Sequence, residues 1–273
     1  MANQPHTLRD FADPPVVETV LGVQFAPMPF SIPHFGLYWE QIRSEFPQYR
    51  VLPPLGHVRE QFGGPSGGVS RKIGIEVVQD PELRCWFLDK KGNQIIQVQR
   101  DRFIHNWQKI SGSEVYPRYE SVRAKFETEW KRFREFLEQG GFGKPEVNQC
   151  EVTYVNHIEY EKGWKSFGEL SKVISCWSGK HSGAFLPDQE KVTLNVSYLL
   201  PGNQGRMYVS LEPVIRTRDA KEVLQFNLTV RGAPSSSGDA DVLRWLDVGR
   251  QWVVEGFTDF TTDAMHKVWG RTK

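Results

Sequence analysis

The sequence predicts an α+β protein made of two tandem copies of one strand–helix–sheet–helix unit. Strand-like and helical segments follow one another in the same order before and after about residue 145. Corresponding residues also lie at nearly constant offsets of about 130 positions, as Phe35-Gly36 and Phe167-Gly168 do. We therefore expect a first unit over residues 1–145 and a second over residues 146–273, joined in one continuous globular body.

The first unit opens with a strand, because residues 16–25 alternate between apolar and other side chains. Residues 35–46 repeat apolar side chains at helical spacing, which indicates a helix with one buried face. Alternation predicts further strands at residues 58–62, 83–88 and 94–107. The glycine-rich stretch 63–68 lacks the Gly-Lys-Ser/Thr ending of a phosphate loop and is interpreted as a flexible turn. Residues 119–137 form the strongest predicted helix of this unit.

The second unit repeats this order. A strand is predicted at residues 151–159 and a helix at 167–174. Three more strands are predicted at residues 192–200, 207–215 and 223–230. The unit closes with a long helix over about residues 239–265.

Burial predicts how these elements pack. An antiparallel sheet has one apolar face, and the helices of its own unit are the only long amphipathic elements available to cover it. Two such units can join edge to edge into one continuous sheet whose other face stays free, as in proteins with a fold like the TATA-binding protein. The alternative is a helix-grip arrangement, in which the sheet closes around one long helix and leaves a ligand cavity.

Composition excludes several classes of protein. The 273-residue chain has a net charge of +1, which is low for a dedicated duplex-DNA binder. It has no apolar run of about 20 residues and no apolar segment at its start, so neither a membrane partner nor a secretory signal is expected. Three scattered cysteines make a disulfide framework improbable and favour a reducing cytoplasm.

No segment has the spacing of a metal site or of a nucleophile elbow, so we predict no metal, no cofactor and no catalytic residue. The most informative stretch is residues 97–107, where apolar alternation slips at Arg100-Asp101 as a β-bulge would cause. The alternative interpretation pairs Asp101 with an arginine and places Trp107 in the core. The candidate binding residues are Gln97, Gln99, Arg100, Asp101, Arg102, His105, Asn106, Trp107, Arg118, Tyr154 and Asn156.

The same segments carry a family resemblance. The opening Pro-Pro-Val-Val-Glu of residues 14–18 and Leu-Gly-Val-Gln-Phe of residues 21–25 resemble a sporadically distributed family of bacterial proteins without an assigned activity. The similarity is strongest over residues 14–156 and continues through residues 96–99, 101–103, 106–107, 116–119 and 151–156. It implies no substrate or catalytic residue. The family's patchy distribution is similar to that of accessory genes and implies a defence or toxin–antitoxin setting.

We therefore expect a non-enzymatic protein that binds a partner protein through the free sheet face, with a homodimer as a further possibility. Aromatic and arginine side chains expected on that face are enriched at protein interfaces. One alternative is nucleic-acid binding through Arg100, Arg102, Arg216, Arg218 and Arg231. A second alternative is a hydrolase or transferase whose site is assembled from Glu18, Asp101, His105 and Glu151.

Overall fold

The computed structural model describes residues 8–62, 82–179, 181, 183 and 185–272. The strands are β1 (Val16–Phe25), β2 (Gln48–Leu52), β3 (Arg84–Leu88), β4 (Gln94–Gln99), β5 (Arg102–Gln108), β6 (Val147–Glu159), β7 (Leu194–Leu199), β8 (Arg206–Arg216) and β9 (Lys221–Gly232). The α-helices are α1 (Ile32–Ile42), α2 (Tyr119–Gln139), α3 (Asp239–Phe260) and α4 (Asp263–Val268). The predicted turn at residues 63–68 lies outside the described residues.

The nine strands form one antiparallel sheet in the order β2-β3-β4-β5-β1-β6-β9-β8-β7, so the chain has a mixed α+β fold. Its centre is the pairing of β1 with β6, in which Leu21 lies opposite Val152 and Val20 lies opposite Thr153. Because side chains alternate along a strand, Leu21 and Val152 point to one face of the sheet, and Val20 and Thr153 point to the other.

Helices α2 and α3 cover the Leu21 face. Under α2, the ring of Phe103 stacks on Phe133 with centroids 5.2 Å apart. Under α3, the ring of Phe226 lies 5.9 Å from Phe257. All four side chains are buried, and burying a large apolar side chain contributes about 1.5–3 kcal/mol to stability. The helices of the described segments do not include one long and apolar enough to cross a membrane.

The stretch predicted as one strand over residues 94–107 is a hairpin. Gln99 pairs with Arg102, so Arg100 and Asp101 form a two-residue turn between β4 and β5. The prediction of a β-bulge there is wrong, because the slip in alternation marks a reversal of the chain. The turn has none of the glycine or asparagine residues that usually signal a two-residue hairpin.

Several other elements differ from the sequence prediction, among them α1, which ends at Ile42, and β6, which starts at Val147. Residues 58–62 are not in a strand, and the edge strand β2 was not expected. The short helix near residue 170 is a 3₁₀ helix over Phe167–Lys172. The last long helix ends at Phe260, and α4 starts after Thr262, whose hydroxyl caps it by accepting from the Met265 amide at 3.3 Å.

Replacement of a glycine by alanine should have opposite effects on stability at two positions. A Cβ at Gly249 of α3 would lie 2.7 Å from Cγ2 of Val152, whereas a Cβ at Gly36 of α1 meets no atom within 4 Å. We expect Gly36→Ala to stabilise the protein by about 0.5–1 kcal/mol, because alanine loses less backbone freedom in a helix. Gly249→Ala should destabilise it by about 1–3 kcal/mol through overpacking. Urea unfolding of both variants measures this, and a stabilised Gly249→Ala would contradict the close contact of α3 with β6.

Candidate functional site

The sheet face opposite α2 and α3 is polar, and we call it the polar face. Its central row consists of residues that lie opposite each other on neighbouring strands. These are, in order across the sheet, Asn106, Val20, Thr153, Thr229 and Tyr208. Neighbouring side chains bond to each other, as the hydroxyls of Thr153 and Thr229 do at 2.8 Å. Among the described residues, no helix packs on this face.

Two of the candidate residues, Gln97 and Asn106, lie on the polar face but are only 5% and 3% exposed. The Gln97 amide donates to Asn106 Oδ1 at 2.8 Å, and Asn106 Nδ2 donates to the Glu18 carboxylate at 2.5 Å. Arg84 donates to Gln97 Oε1 at 3.1 Å at the other end of this chain of bonds. Gln97 and Asn106 therefore position Glu18 and do not themselves present a free binding surface.

Gln99, Asp101 and Arg102 lie at one end of the polar face, where a loop segment over residues 55–62 crosses it. The Leu55 amide donates to Gln99 Oε1 at 2.8 Å, and Gln99 Nε2 donates to the Leu55 carbonyl at 2.9 Å. The His57 ring lies 3.2 Å from the Asp101 carboxylate, and Arg102 donates to the Gly56 carbonyl at 3.0 Å. These candidates hold the crossing segment in place.

The other candidates lie elsewhere. His105 and Trp107 are on the helix face, where His105 is 0% exposed, so neither belongs to the predicted surface. Arg100 is in the hairpin turn and donates to the Met28 carbonyl at 3.2 Å. Arg118, Tyr154 and Asn156 line a separate cavity beneath α3. Sequence reasoning placed all eleven residues in one candidate set, whereas the sheet distributes them over both of its faces.

The four residues of the enzyme hypothesis are not brought together. Glu18 lies near the start of β1, whereas Asp101 lies in the turn next to Arg102, which pairs with Gln24 near the end of β1. The stretch from Glu18 to Gln24 spans about 20 Å at 3.3 Å per residue. His105 is in the core on the other face of the sheet.

The accessible part of the polar face contains a groove of about 310 Å³, which we call the hairpin groove. Its floor is formed by the start of β1, the end of β5 and the far end of β6. Its walls are the loop after β5 and the tip of the β8–β9 hairpin, which reaches across the sheet so that the Arg218 guanidinium packs against Gly112. The lining residues are Val17, Glu18, Gln108, Lys109, Ile110, Val155, His157, Val214, Ile215, Arg216, Thr217, Arg218 and Gln225.

Burial perturbs three ionisable groups in the hairpin groove. Burial raises the pKa of the Glu18 carboxyl, and the hydrogen bond from Asn106 offsets part of this effect. Burial lowers the pKa of His157, so its imidazole is neutral at pH 7. Burial also lowers the pKa of the Lys109 ammonium. At the rim, hydrogen bonds from Arg216 and Lys162 hold the pKa of Glu159 at about 2. The bond from Arg216 also fixes the hairpin tip to β6.

Two buried polar atoms on the neighbouring strands β6 and β9 have no hydrogen-bond partner among the described residues. They are Nδ1 of His157 on β6 and Oδ1 of Asn227 on the neighbouring strand β9. Buried polar atoms are nearly always paired, so partnerless ones beside a groove indicate where another molecule supplies the missing bond. His157 lines the groove, and its Nε2 donates to Gln225 Oε1, so its Nδ1 is an acceptor. The groove can therefore bind a partner that offers a hydrogen-bond donor.

None of the eleven predicted binding residues lines the hairpin groove. His157, Lys109, Ile215 and Gln225 were not among the candidates. The alternation of β6 places His157 beside Val155, but only the register of β1, β6 and β9 brings Glu18 and Gln225 into the same site.

The raised pKa of Glu18 predicts a pH-dependent stability change. The folded protein binds the Glu18 proton more tightly than the unfolded chain does, so this carboxyl costs stability once the pH rises above its unfolded pKa, near 4.5. Glu18→Gln keeps an oxygen for Asn106 and removes the buried charge. We expect it to raise the free energy of unfolding at pH 7 and to have no such effect below pH 4. Urea unfolding across this range measures the difference, and a loss of stability at pH 7 would contradict it.

Neither the family models nor the curated proteins that were searched include a match to the chain. Its function is therefore argued from its own residues.

Proposed function

We propose that this chain is a non-enzymatic binding protein that holds a partner protein through the polar face, with the hairpin groove at the centre of the contact. The observation that carries the proposal is an apolar rim around a polar floor. Ile110 and Ile215 are 44% and 62% exposed at the rim, and the floor holds His157, whose Nδ1 has no partner among the described residues. Protein interfaces combine apolar anchors with a few positioned hydrogen bonds in this way.

The charge of the groove narrows the chemistry of the partner. Arg216 is bound by Glu159 and Asp219, but Lys109 has no ion pair within the described part of the chain. An acidic side chain of the partner would offset the cost of burying the ammonium group of this half-buried lysine. The proposed partner segment therefore has an apolar side chain for the rim and a neighbouring carboxylate for Lys109.

Nucleic-acid binding is supported less well, because the arginines available for phosphates already have partners. Arg102 donates to Gln24 and Gly56, and Arg231 donates to Glu151. Arg216 and Arg218 lie close to Glu159 and Asp219, within 4 Å. A phosphate backbone would have to displace these carboxylates, and affinity for nucleic acid comes mainly from unpaired cations.

The tandem-unit architecture belongs to the same proposal. The sheet order is close to symmetric about the β1–β6 pair, since each side continues outward through antiparallel strands to an edge strand. The long helices α2 and α3 each follow the last strand of their own half. This order supports two related units divided near residue 145 and a fold like that of the TATA-binding protein. The proposed setting, a bacterial accessory, defence or toxin–antitoxin system, rests on the family resemblance alone.

A charge at the apolar rim should weaken partner binding strongly. Ile215→Glu places a carboxylate where we expect an apolar contact, and hot-spot losses of about 2 kcal/mol or more correspond to a roughly 30-fold weaker complex. Leu37→Glu is the matched control, because Leu37 is 58% exposed on α1, on the other side of the sheet. Tagged wild-type and variant proteins would be used to capture partners from host lysate, with mass spectrometry and then titration of the captured partner.

A partner retained by the wild type and by Leu37→Glu but lost by Ile215→Glu supports the proposal. Equal retention by both variants, or no protein that distinguishes them, removes it. Binding of the wild type to oligonucleotides, with an affinity that falls steeply with salt, would favour the nucleic-acid alternative instead.

A further inference from the structure

A second cavity, of about 440 Å³, lies on the other face of the sheet, where the two halves of the chain meet. We call it the junction cavity. It is enclosed by the N-terminal segment, the start of α2, strand β6 and the middle of α3. Its lining residues are Leu8, Arg9, Asp10, Phe11, Pro14, Val16, Tyr116, Arg118, Tyr119, Glu120, Tyr154, Asn156, Arg250, Val253, Val254 and Phe257. Its volume is within the range of small-molecule sites.

The N-terminal segment is a fixed wall of the cavity. Phe11 packs edge-on against Phe257 at 5.6 Å and also against Trp269 at 6.2 Å. The backbone of this segment pairs with the chain's C-terminal end, where the Ala12 amide donates to the Gly270 carbonyl at 2.9 Å. Phe11, Val16 and Phe257, together with Val253, give the cavity a buried apolar surface.

Buried hydroxyl and amide groups form the floor. The Tyr116 hydroxyl donates to the Tyr154 hydroxyl at 2.9 Å, and both rings are less than 10% exposed. Because a hydroxyl can donate as well as accept, the Tyr154 hydroxyl keeps a proton for a further acceptor. Asn156, 1% exposed, lies two residues along β6 on the same face.

Arginine side chains bring positive charge to the cavity. The Arg250 guanidinium stacks over the Tyr119 ring at 4.7 Å, and its Nη2 lies 3.1 Å from the exposed Glu120 carboxylate. The buried Nε of Arg250 has no hydrogen-bond partner among the residues described. One N–H donor of a guanidinium is therefore fixed beside the cavity with nothing to bond to.

Arg118, which also lines the junction cavity, has a strained backbone conformation. It precedes α2 with φ 69° and ψ 156°, a conformation that is strained for a non-glycine residue. Its guanidinium donates to the Asp10 carboxylate and to the Phe11 carbonyl, both at 3.0 Å, which fixes the N-terminal segment over the cavity. The side chain of Arg118 does not cap the first turn of α2.

We propose that the junction cavity binds a small organic anion with a bulky apolar body, whose carboxylate meets Arg250 and the Tyr154 hydroxyl. The apolar part of the ligand packs against Phe11, Val253 and Phe257. This site is on the opposite face of the sheet from the hairpin groove, so it does not depend on the proposed partner protein.

The test uses 2-naphthoate as the probe and 2-naphthylmethanol as its neutral analogue, titrated into the full chain by calorimetry. We expect the wild type to bind naphthoate at least tenfold more tightly than the alcohol. Arg250→Gln should remove this difference, because hydrogen bonds to charged groups contribute about 1.5–3 kcal/mol, or roughly tenfold to a hundredfold in affinity. Arg244→Gln is the control, since Arg244 is on the same helix, 68% exposed and paired with Asp241.

Glu120→Gln should change the affinity for naphthoate in the opposite direction. Its carboxylate competes with the ligand for Arg250, so its neutralisation should tighten naphthoate binding by about threefold, an effect that damaged folding cannot produce. Equal binding of naphthoate and the alcohol by the wild type, or no binding of either, overturns the proposal. So does an Arg250→Gln protein that binds naphthoate as the wild type does.

Discussion

The structure depends on the pairing of β1 with β6. Without this pairing, each half of the chain would expose a long edge strand with unpaired backbone groups. Such edges promote aggregation. With the pairing formed, nine strands become one sheet, and α2 and α3 lie side by side on a single face. The register also determines which side chains of the two halves meet, so it defines both candidate sites.

Both sites use the same strand from opposite sides. Tyr154 and Asn156 of β6 line the junction cavity, and Val155 and His157, which alternate with them along the strand, line the hairpin groove. This follows from the two-residue period of a strand. A shift of one residue in the β1–β6 register would exchange the two sets, placing a neutral histidine under α3 and two buried hydrogen-bonding groups on the polar face. The register therefore has to be fixed for either site to exist.

Local patterns in the sequence predicted the elements better than the sites. Alternation predicted β1 with its observed ends, and the apolar stripe predicted α2, because each signal lies within a few neighbouring residues. The edge strand β2 was missed because most of its residues are exposed and show no alternating burial. The sheet face on which each side chain lies was harder to predict. His105 and Asn106 are neighbours in the sequence, but His105 lies in the core and Asn106 lies on the polar face. Arg250 lies more than 90 residues from Tyr154, so only the fold brings them into one cavity.

Buried polar groups differ in what they indicate. Gln97 and Asn106 are satisfied by each other and by their neighbours, so they stabilise the sheet and require no ligand. Both ring nitrogens of His105 lack a partner in the described structure, but this side chain is fully enclosed by the core, and burial lowers its pKa to about 3. It remains neutral at pH 7 and carries only the cost of lost hydrogen bonds. The partnerless atoms of His157 and Arg250 differ because each lies beside a cavity large enough for another molecule. Access to a cavity, together with a missing partner, is what distinguishes a binding group from a buried defect.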